Sequence, residues 1–219
     1  MNILAFDTST SACSVALQCG SNVKLKHENA PMAQAKRVLD LIKVLLEESS
    51  LTFNDLNLIA YGSGPGSFTG IRIASSVAQG IGLVKPIPII PISTLAILAQ
   101  TAYLKYQACH ILTAMDARMG QVYFATYQIN EKGIAQICGE EQVCLPEAIN
   151  MPQAFENWYG VSDGWGQYKE KLLSVIKATS LGIDASLLPK ADAIIPLAQL
   201  KYEQKHWVNA SLAHPTYLR

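Results

Sequence analysis

The chain of 219 residues is 50% hydrophobic, and its 17 lysines and arginines balance 17 aspartates and glutamates to a net charge of zero. That composition excludes a disordered chain, supports a substantial core in one domain or two compact lobes, and leaves little long-range attraction for a nucleic-acid backbone. No lysine and arginine cluster is interleaved with aromatics, and no unbroken apolar stretch is long enough to span a bilayer. The first residues read directly as an apolar strand without a basic leader, which predicts a cytoplasmic protein with no membrane association. Five cysteines without a Cys-x-x-Cys pair fit free thiols in a reducing compartment, Cys13 and Cys19 filling strand positions.

In chain order, residues 3–7, 14–18 and 23–27 predict a small meander of strands. Residues 34–49 predict an amphipathic helix, with Ala35, Val38, Leu39, Ile42, Leu45 and Leu46 on one face and Leu41 outside that stripe. A buried strand follows at 56–61, then a helix at 67–84, a proline-punctuated strand through Ile92 and a helix capped near Ser93. Strand-like runs at 111–115, 121–129 and 134–145 open a second half. Gly164 and Gly166 mark a turn before a helix at 168–177, and the last helix is predicted at 191–205, with Pro196 a kink or the sign of a later start. Residues 3–7 and 112–116 share an apolar-x-Ala-apolar-Asp pattern about half the chain apart, which predicts duplicated lobes. The boundaries are read as 1–106 and 107–219, with the last helix packing back on the first lobe.

The densest signal is residues 62–74, Gly-Ser-Gly-Pro-Gly-Ser-Phe-Thr-Gly-Ile-Arg-Ile-Ala, a glycine turn between strand and helix. Gly64 and Gly66 allow positive φ, Pro65 stiffens the turn, and Ser67 or Thr69 caps the helix. The exposed amides of such a turn can cradle an anion. Yet the only charged residue between Gly62 and Val84 is Arg72, so the lysine of a phosphate loop is missing. Pro65 and Thr69 occupy the positions that a hydrolase elbow around Ser67 needs as glycines. A tight turn packing a helix closely on a sheet is the reading these side chains favour.

Asp7 is followed by Thr8, Ser9, Thr10 and Ser11, hydroxyls with which it can bond its own turn. Asp116 closes the second copy of the pattern, and Arg118 beside it reads as a salt bridge across the lobes or, less favoured, a substrate contact. His27, His110, His206 and His214 include no His-x-x-x-His pair, which argues against a metal site. On the helix after the glycine turn, Gly70, Ala74, Ala78 and Gly82 recur every four residues as a ridge of small side chains. Such a ridge admits a close helix, either from a second subunit or not at all if it lies on its own sheet.

Gly-Pro-Gly-Ser-Phe-Thr-Gly, the opening Ile-Leu-Ala-Phe-Asp-Thr-Ser-Thr-Ser-Ala-Cys-Ser-Val-Ala-Leu, the later Met-Asp-Ala-Arg-Met-Gly-Gln-Val-Tyr and the ending Pro-Thr-Tyr-Leu-Arg together resemble the TsaB family, also called YeaZ. The matching segments run from the first strand to the last residue. The resemblance implies an α/β, two-lobed actin-like/Hsp70-like/sugar-kinase-like ATPase fold, each lobe a mixed sheet with helices. Catalytic members of that architecture bring glycine-bearing hairpins to nucleotide phosphates. Here no glycine follows Asp7, and the first after Asp116 is Gly120, so the resemblance implies the aspartates without a cofactor. It further implies a noncatalytic subunit that pairs with TsaD through the first two helices. The partner face would be Leu41, Gly70, Ala74, Ala78 and Gly82, and the structural turns Asp7, Gly64, Pro65, Gly66, Ser67 and Asp116. The complex would include the ATPase TsaE and form threonylcarbamoyladenosine next to the anticodon, this chain meeting tRNA only indirectly; a homodimer is the other pairing. Two rivals stay open, an ATP-dependent small-molecule phosphotransferase on the same fold and a stand-alone homodimeric binding module.

Overall fold

The computed structural model describes residues 1–30, 33–151, 156–176 and 179–218. The chain divides into two compact units, Met1–Ile97 with Pro189–Thr216, and Leu98–Leu188 with the last residues of the chain. The division falls earlier than the boundary read from the sequence, inside α3 (Thr94–Tyr106), which Ser93 caps through a bond from Leu95 N to its Oγ at 3.2 Å. Side chains on the later turns of α3 are engaged in the second unit. The Gln100 amide donates to Gly133 O at 2.9 Å and accepts from Ala135 N at 2.8 Å, and the Tyr106 ring stacks on Tyr159 at 4.3 Å.

In the first unit β1 (Asn2–Asp7), β2 (Ala12–Cys19), β3 (Asn22–Asn29), β4 (Leu58–Gly64) and β5 (Ile89–Ser93) form a sheet in the order β3-β2-β1-β4-β5. β1 and β2, and β2 and β3, pair antiparallel; β1 and β4, and β4 and β5, pair parallel. β1 and β4 are near-continuous buried runs, as central parallel strands covered on both faces require. β3, at the edge, carries Lys24, Lys26 and Glu28, charges that guard its unpaired side.

The helix α1 (Gln34–Glu48) buries Val38, Leu41, Ile42, Leu45 and Leu46. The buried face is rotated from the one read in the sequence, because Leu41 is 6% exposed and Leu39 is 53% exposed. At about 100° per residue, Leu41, Leu45, Val38 and Ile42 share one arc and Leu39 lies outside it. Leu41 is therefore part of its own lobe's core and not a partner contact. The ridge on α2 (Phe68–Val84) also faces inward. Ala74 and Ala78 are fully buried in a cluster with Phe6, Tyr61 and Ile89. A Cβ on Gly82 would stand 2.6 Å from Ile89 Cδ1, and one on Gly70 would stand 1.9 Å from Thr8 O. The small residues seat α2 on its own sheet, which corrects the expectation that Gly70, Ala74, Ala78 and Gly82 meet a second subunit. The last helix, α5 (Ala191–Glu203), contacts all five strands of this first sheet. It starts at Ala191, whose N–H donates to Ser14 Oγ at 2.9 Å, and holds Pro196 within it.

In the second unit β6 (His110–Arg118), β7 (Gln121–Ile129), β8 (Ala135–Cys144), β9 (Trp158–Val161) and β10 (Ser180–Asp184) take the order β8-β7-β6-β9-β10. The pairing senses repeat those of the first sheet strand for strand. α4 (Gly164–Val175) joins β9 to β10 as α2 joins β4 to β5. This doubled mixed sheet is the actin-like, Hsp70-like, sugar-kinase-like architecture. Trp158 and Trp165, both fully buried, stack at 5.0 Å in the core. α4 begins at Gly164 rather than Tyr168, and Gly164 packs so closely on β6 that a Cβ there would stand 2.7 Å from Ala114 O. Tyr168, at φ −125° and ψ 22°, is instead a kink within the helix, and the expected end at Lys177 lies outside the described residues. Among the described residues no helix is long and apolar enough to cross a membrane.

Candidate functional site

At the end of β1, Asp7 is 1% exposed. Its Oδ1 accepts from Ser9 N at 3.1 Å and from Ser9 Oγ at 2.9 Å, so the carboxylate braces its own turn. Its Oδ2 has no hydrogen-bond partner among the described residues and lies where a Cβ on Gly62 would be, 1.8 Å away. Burial pushes the Asp7 carboxyl up to about 6, against the lowering effect of the two Ser9 bonds. The glycine loop closes directly over this turn. Ser67 N donates to Ser9 O at 2.7 Å, Thr8 Oγ1 donates to Gly70 O at 2.7 Å, and Gly66 stands against Ser9 O. Ser67 caps α2, its Oγ accepting from Gly70 N at 3.4 Å. The turn that carries Asp7 is thus packed against the chain's own backbone at Gly66, Ser67 and Gly70.

The far side of the loop is held by residues 213–216. Gly64, at φ +115° before a cis peptide to Pro65, brings its Cα so close to Thr216 O that a Cβ would stand 2.7 Å from it. Thr216 N donates to Ser63 O at 2.7 Å, Tyr61 Oη donates to His214 O at 2.9 Å, and Ser75 Oγ and Gln79 Nε2 both donate to Ala213 O. This clasp has no counterpart in periodicity or motif, and only its ending, Pro-Thr-Tyr-Leu-Arg, stood out in the sequence.

In the second unit Asp116 accepts from Arg118 N at 2.9 Å and from Tyr168 Oη at 3.2 Å on Oδ1, and pairs with Arg118 Nη1 at 3.0 Å through Oδ2. Arg118 is thus paired within its own hairpin, which corrects the expectation of a salt bridge across the lobes. Its side chain is 86% exposed, so this pair contributes little stability. No group of three or more His, Cys, Asp or Glu among the described residues is placed to hold a metal.

Sequence reasoning missed a groove of about 430 Å³ between α1 and α2, lined by Ala35, Leu39, Phe68, Arg72, Ile73 and Val77. Phe68 is 64% exposed, and the Arg72 guanidinium stacks on its ring, 3.2 Å from the centroid. The signal was there in α1, whose apolar sector is wider than one packed face can hide, and in a large aromatic placed directly after the Ser67 cap.

The family model described as TsaD: tRNA N6-adenosine threonylcarbamoyltransferase matches residues 28–191. A protein of Escherichia coli (strain K12) named tRNA threonylcarbamoyladenosine biosynthesis protein TsaB is 39% identical, over 100% of this chain and 95% of the relative. A protein of the same name from Haemophilus influenzae is also 39% identical, over 100% and 94%. The solved structure of YeaZ from Pseudomonas aeruginosa matches with a TM-score of 0.92 at 39% identity, covering 99% of each chain. With that identity carried along its whole length and the doubled fold matched throughout, the chain belongs to the TsaB (YeaZ) family.

Proposed function

We propose that this chain serves the formation of threonylcarbamoyladenosine in tRNA as a noncatalytic subunit that pairs with TsaD. The observation that carries the reading is the outward groove of α1 and α2, where Leu39, Phe68, Ile73 and Val77 present apolar surface that the first unit does not cover. An apolar depression with an arginine at its side has the composition of a protein interface rather than of a solvated face. The turn after Asp7 supports the noncatalytic half of the reading, since Thr8 to Ser11 stand where a phosphate-binding hairpin carries glycine and Ser9 ties up one oxygen of the carboxylate. TsaD then supplies the metal and substrate groups for transfer of threonylcarbamoyl from its adenylate to the adenosine amine next to the anticodon. TsaE joins the complex, a homodimer uses the same groove in the absence of TsaD, tRNA is met only through the partners, and the complex works in the cytoplasm.

The test is co-purification with the cognate TsaD followed by threonylcarbamoylation of tRNA with and without this chain. Modification should depend on the chain, and Phe68→Asp should abolish co-purification while leaving the melting temperature of the isolated protein unchanged. ATPase or kinase turnover by the isolated chain that disappears on Asp7→Ala would overturn the noncatalytic assignment. Modification that proceeds equally without the chain would overturn the pathway.

A further inference from the structure

A short chain of hydrogen bonds ties Asp7 to the first turn of α2. Ser9 N and Ser9 Oγ donate to Asp7 Oδ1, Ser9 O accepts from Ser67 N at 2.7 Å, and Thr8 Oγ1 donates to Gly70 O at 2.7 Å. Ser67 caps α2, and the residue after it is Phe68, which carries the Arg72 guanidinium over its ring in the lining of the α1–α2 groove. What fixes the Asp7 turn therefore fixes one end of the groove. The other carboxylate oxygen, Oδ2, is buried without a hydrogen-bond partner among the described residues, and Gly62 lies so close that a Cβ there would stand 1.8 Å from it. A neutral carboxyl sits in such a slot at far lower cost than an ionised one, whose buried charge calls for a donor. A donor reaches Oδ2 when the glycine loop lifts from it, and that loop runs without a break into the Ser67 cap.

We infer that the glycine loop, residues 62–67, is a protonation-dependent latch on the α1–α2 groove: a proton on Asp7 keeps the loop and the first turn of α2 seated, and its release to solvent lifts the loop and unsettles the Phe68–Arg72 end of the groove. The latch rests on the reading that the same groove pairs with TsaD. Burial places the Asp7 carboxyl at about 6, within reach of ordinary solution pH. On β2, Asp7 is paired with Ser14, and the Cys13 thiol beside it is pushed up to about 12 by burial, then by Glu28 and Asp7. Glu28 on β3 and Arg37 on α1 are engaged with each other. β4 brings Tyr61, pushed up to about 12 by burial and bonded through Oη to His214 O. From the α5 side, Lys190 and Asp192 act on His27, and Lys201 donates to Pro91 O. His27, lowered by burial and then by Lys190, lies two strands from Asp7 in register through Ser14, and it stays in place when only Asp7 is changed.

Asp7→Asn tests this, because the amide keeps the shape of the protonated carboxyl and cannot ionise. Amide hydrogen exchange of the isolated proteins reads the latch at Ser67 N, bonded to Ser9 O, and at Ile71 N, bonded to Ser67 O. Compared at the same pH, variant and wild type should be equally protected at about pH 5, and wild type should exchange about fivefold or more faster at about pH 7.5. Calorimetry with full-length cognate TsaD at about pH 7.5 should find the variant binding about fivefold or more tightly than wild type. Wild-type pairing should also take up a proton that the variant's does not, seen as a binding enthalpy that changes with the ionisation heat of the buffer. Equal protection of the two proteins at both pH values, or equal affinity and equal proton uptake where TsaD binds both, overturns the latch. Absence of TsaD binding by both proteins overturns the pairing, and the exchange result then decides the latch alone. Should Asp7→Asn fail to fold, wild type decides: Ser67 and Ile71 should lose protection relative to Ala16, within β2, between about pH 5 and about pH 7.5, and an unchanged ratio overturns the latch.

Discussion

Asp7 and Asp116 end equivalent strands of the two units, and each accepts a bond from the backbone N–H two residues on, at 3.1 Å and 2.9 Å. From that shared turn they part. Around Asp7 the glycine loop packs on the strand end and residues 213–216 hold the far side of that loop, leaving one carboxylate oxygen buried and unpartnered among the described residues. Around Asp116 the second oxygen meets an arginine at the surface. Duplication has kept the turn chemistry, while packing has left one copy a buried acid with no ion partner and made the other a largely buried acid paired with an exposed arginine.

The contrast breaks most visibly at Gly70. A valine there puts Cβ within 1.9 Å of Thr8 O, where backbone on both sides has nowhere to move, and Gly70→Val should cost at least about 3 kcal/mol in denaturant titration. In the second unit, Gly166→Ala meets only the Ala185 Cβ, at 3.3 Å, and should cost less than about 1 kcal/mol. A mild Gly70→Val would mean the two strand ends are not packed so differently.

The pH dependence of stability sharpens the comparison next. The Asp7 carboxyl is raised from 3.8 to about 6 in the folded state, so the native protein holds this proton more tightly than the unfolded chain. Its contribution is fully present below about pH 4 and is lost as the pH rises through about 6, an effect of about 3 kcal/mol. Asp7→Asn should flatten that slope; a slope that persists would assign it to another group.

Ala78→Leu overpacks the seat of α2 and should lower stability by about 1–3 kcal/mol, leaving TsaD pairing of the folded protein intact. Lost pairing at unchanged melting temperature would return the small-residue ridge to the partner surface. The smallest effect is expected for Arg118→Ala, under about 1 kcal/mol of stability, because its guanidinium lies in solvent and Asp116 keeps its bonds from the Arg118 N–H and Tyr168 Oη. A larger loss would show that the second strand end is locked as tightly as the first.

Much of this fold was legible from local pattern. Strand alternation, the proline and glycine breaks and the repeated Asp pointed to two similar lobes, because each of those signals acts within a few residues, whereas the short β9 and β10 were not read as strands. Direction was harder. The every-fourth ridge on α2 reads identically whether it faces a sheet or a subunit, and only the position of Thr8, 62 residues before Gly70, decides. Leu39 and Leu41 exchanged roles because both lie near the border of α1's apolar sector, where periodicity assigns no side. The candidate site suffered most, since the groove is made from two helices and the clasp from segments more than 130 residues apart.

The clasp also sets an order on the making of the molecule. Tyr61, Ser63, Ser75 and Gln79 each find a hydrogen-bond partner in residues 213–216, and α5 packs on the first sheet. A chain emerging from the ribosome exposes its first sheet and α2 throughout synthesis of residues 98–188, and completes that unit only with residues 189–216. The second unit, continuous from Leu98 to Leu188 apart from the few residues after Thr216, can close nearly complete before that. Of the two units, the one whose synthesis starts first is then the one that matures later, and its apolar α1–α2 groove stays without finished support until residues 189–216 have been made.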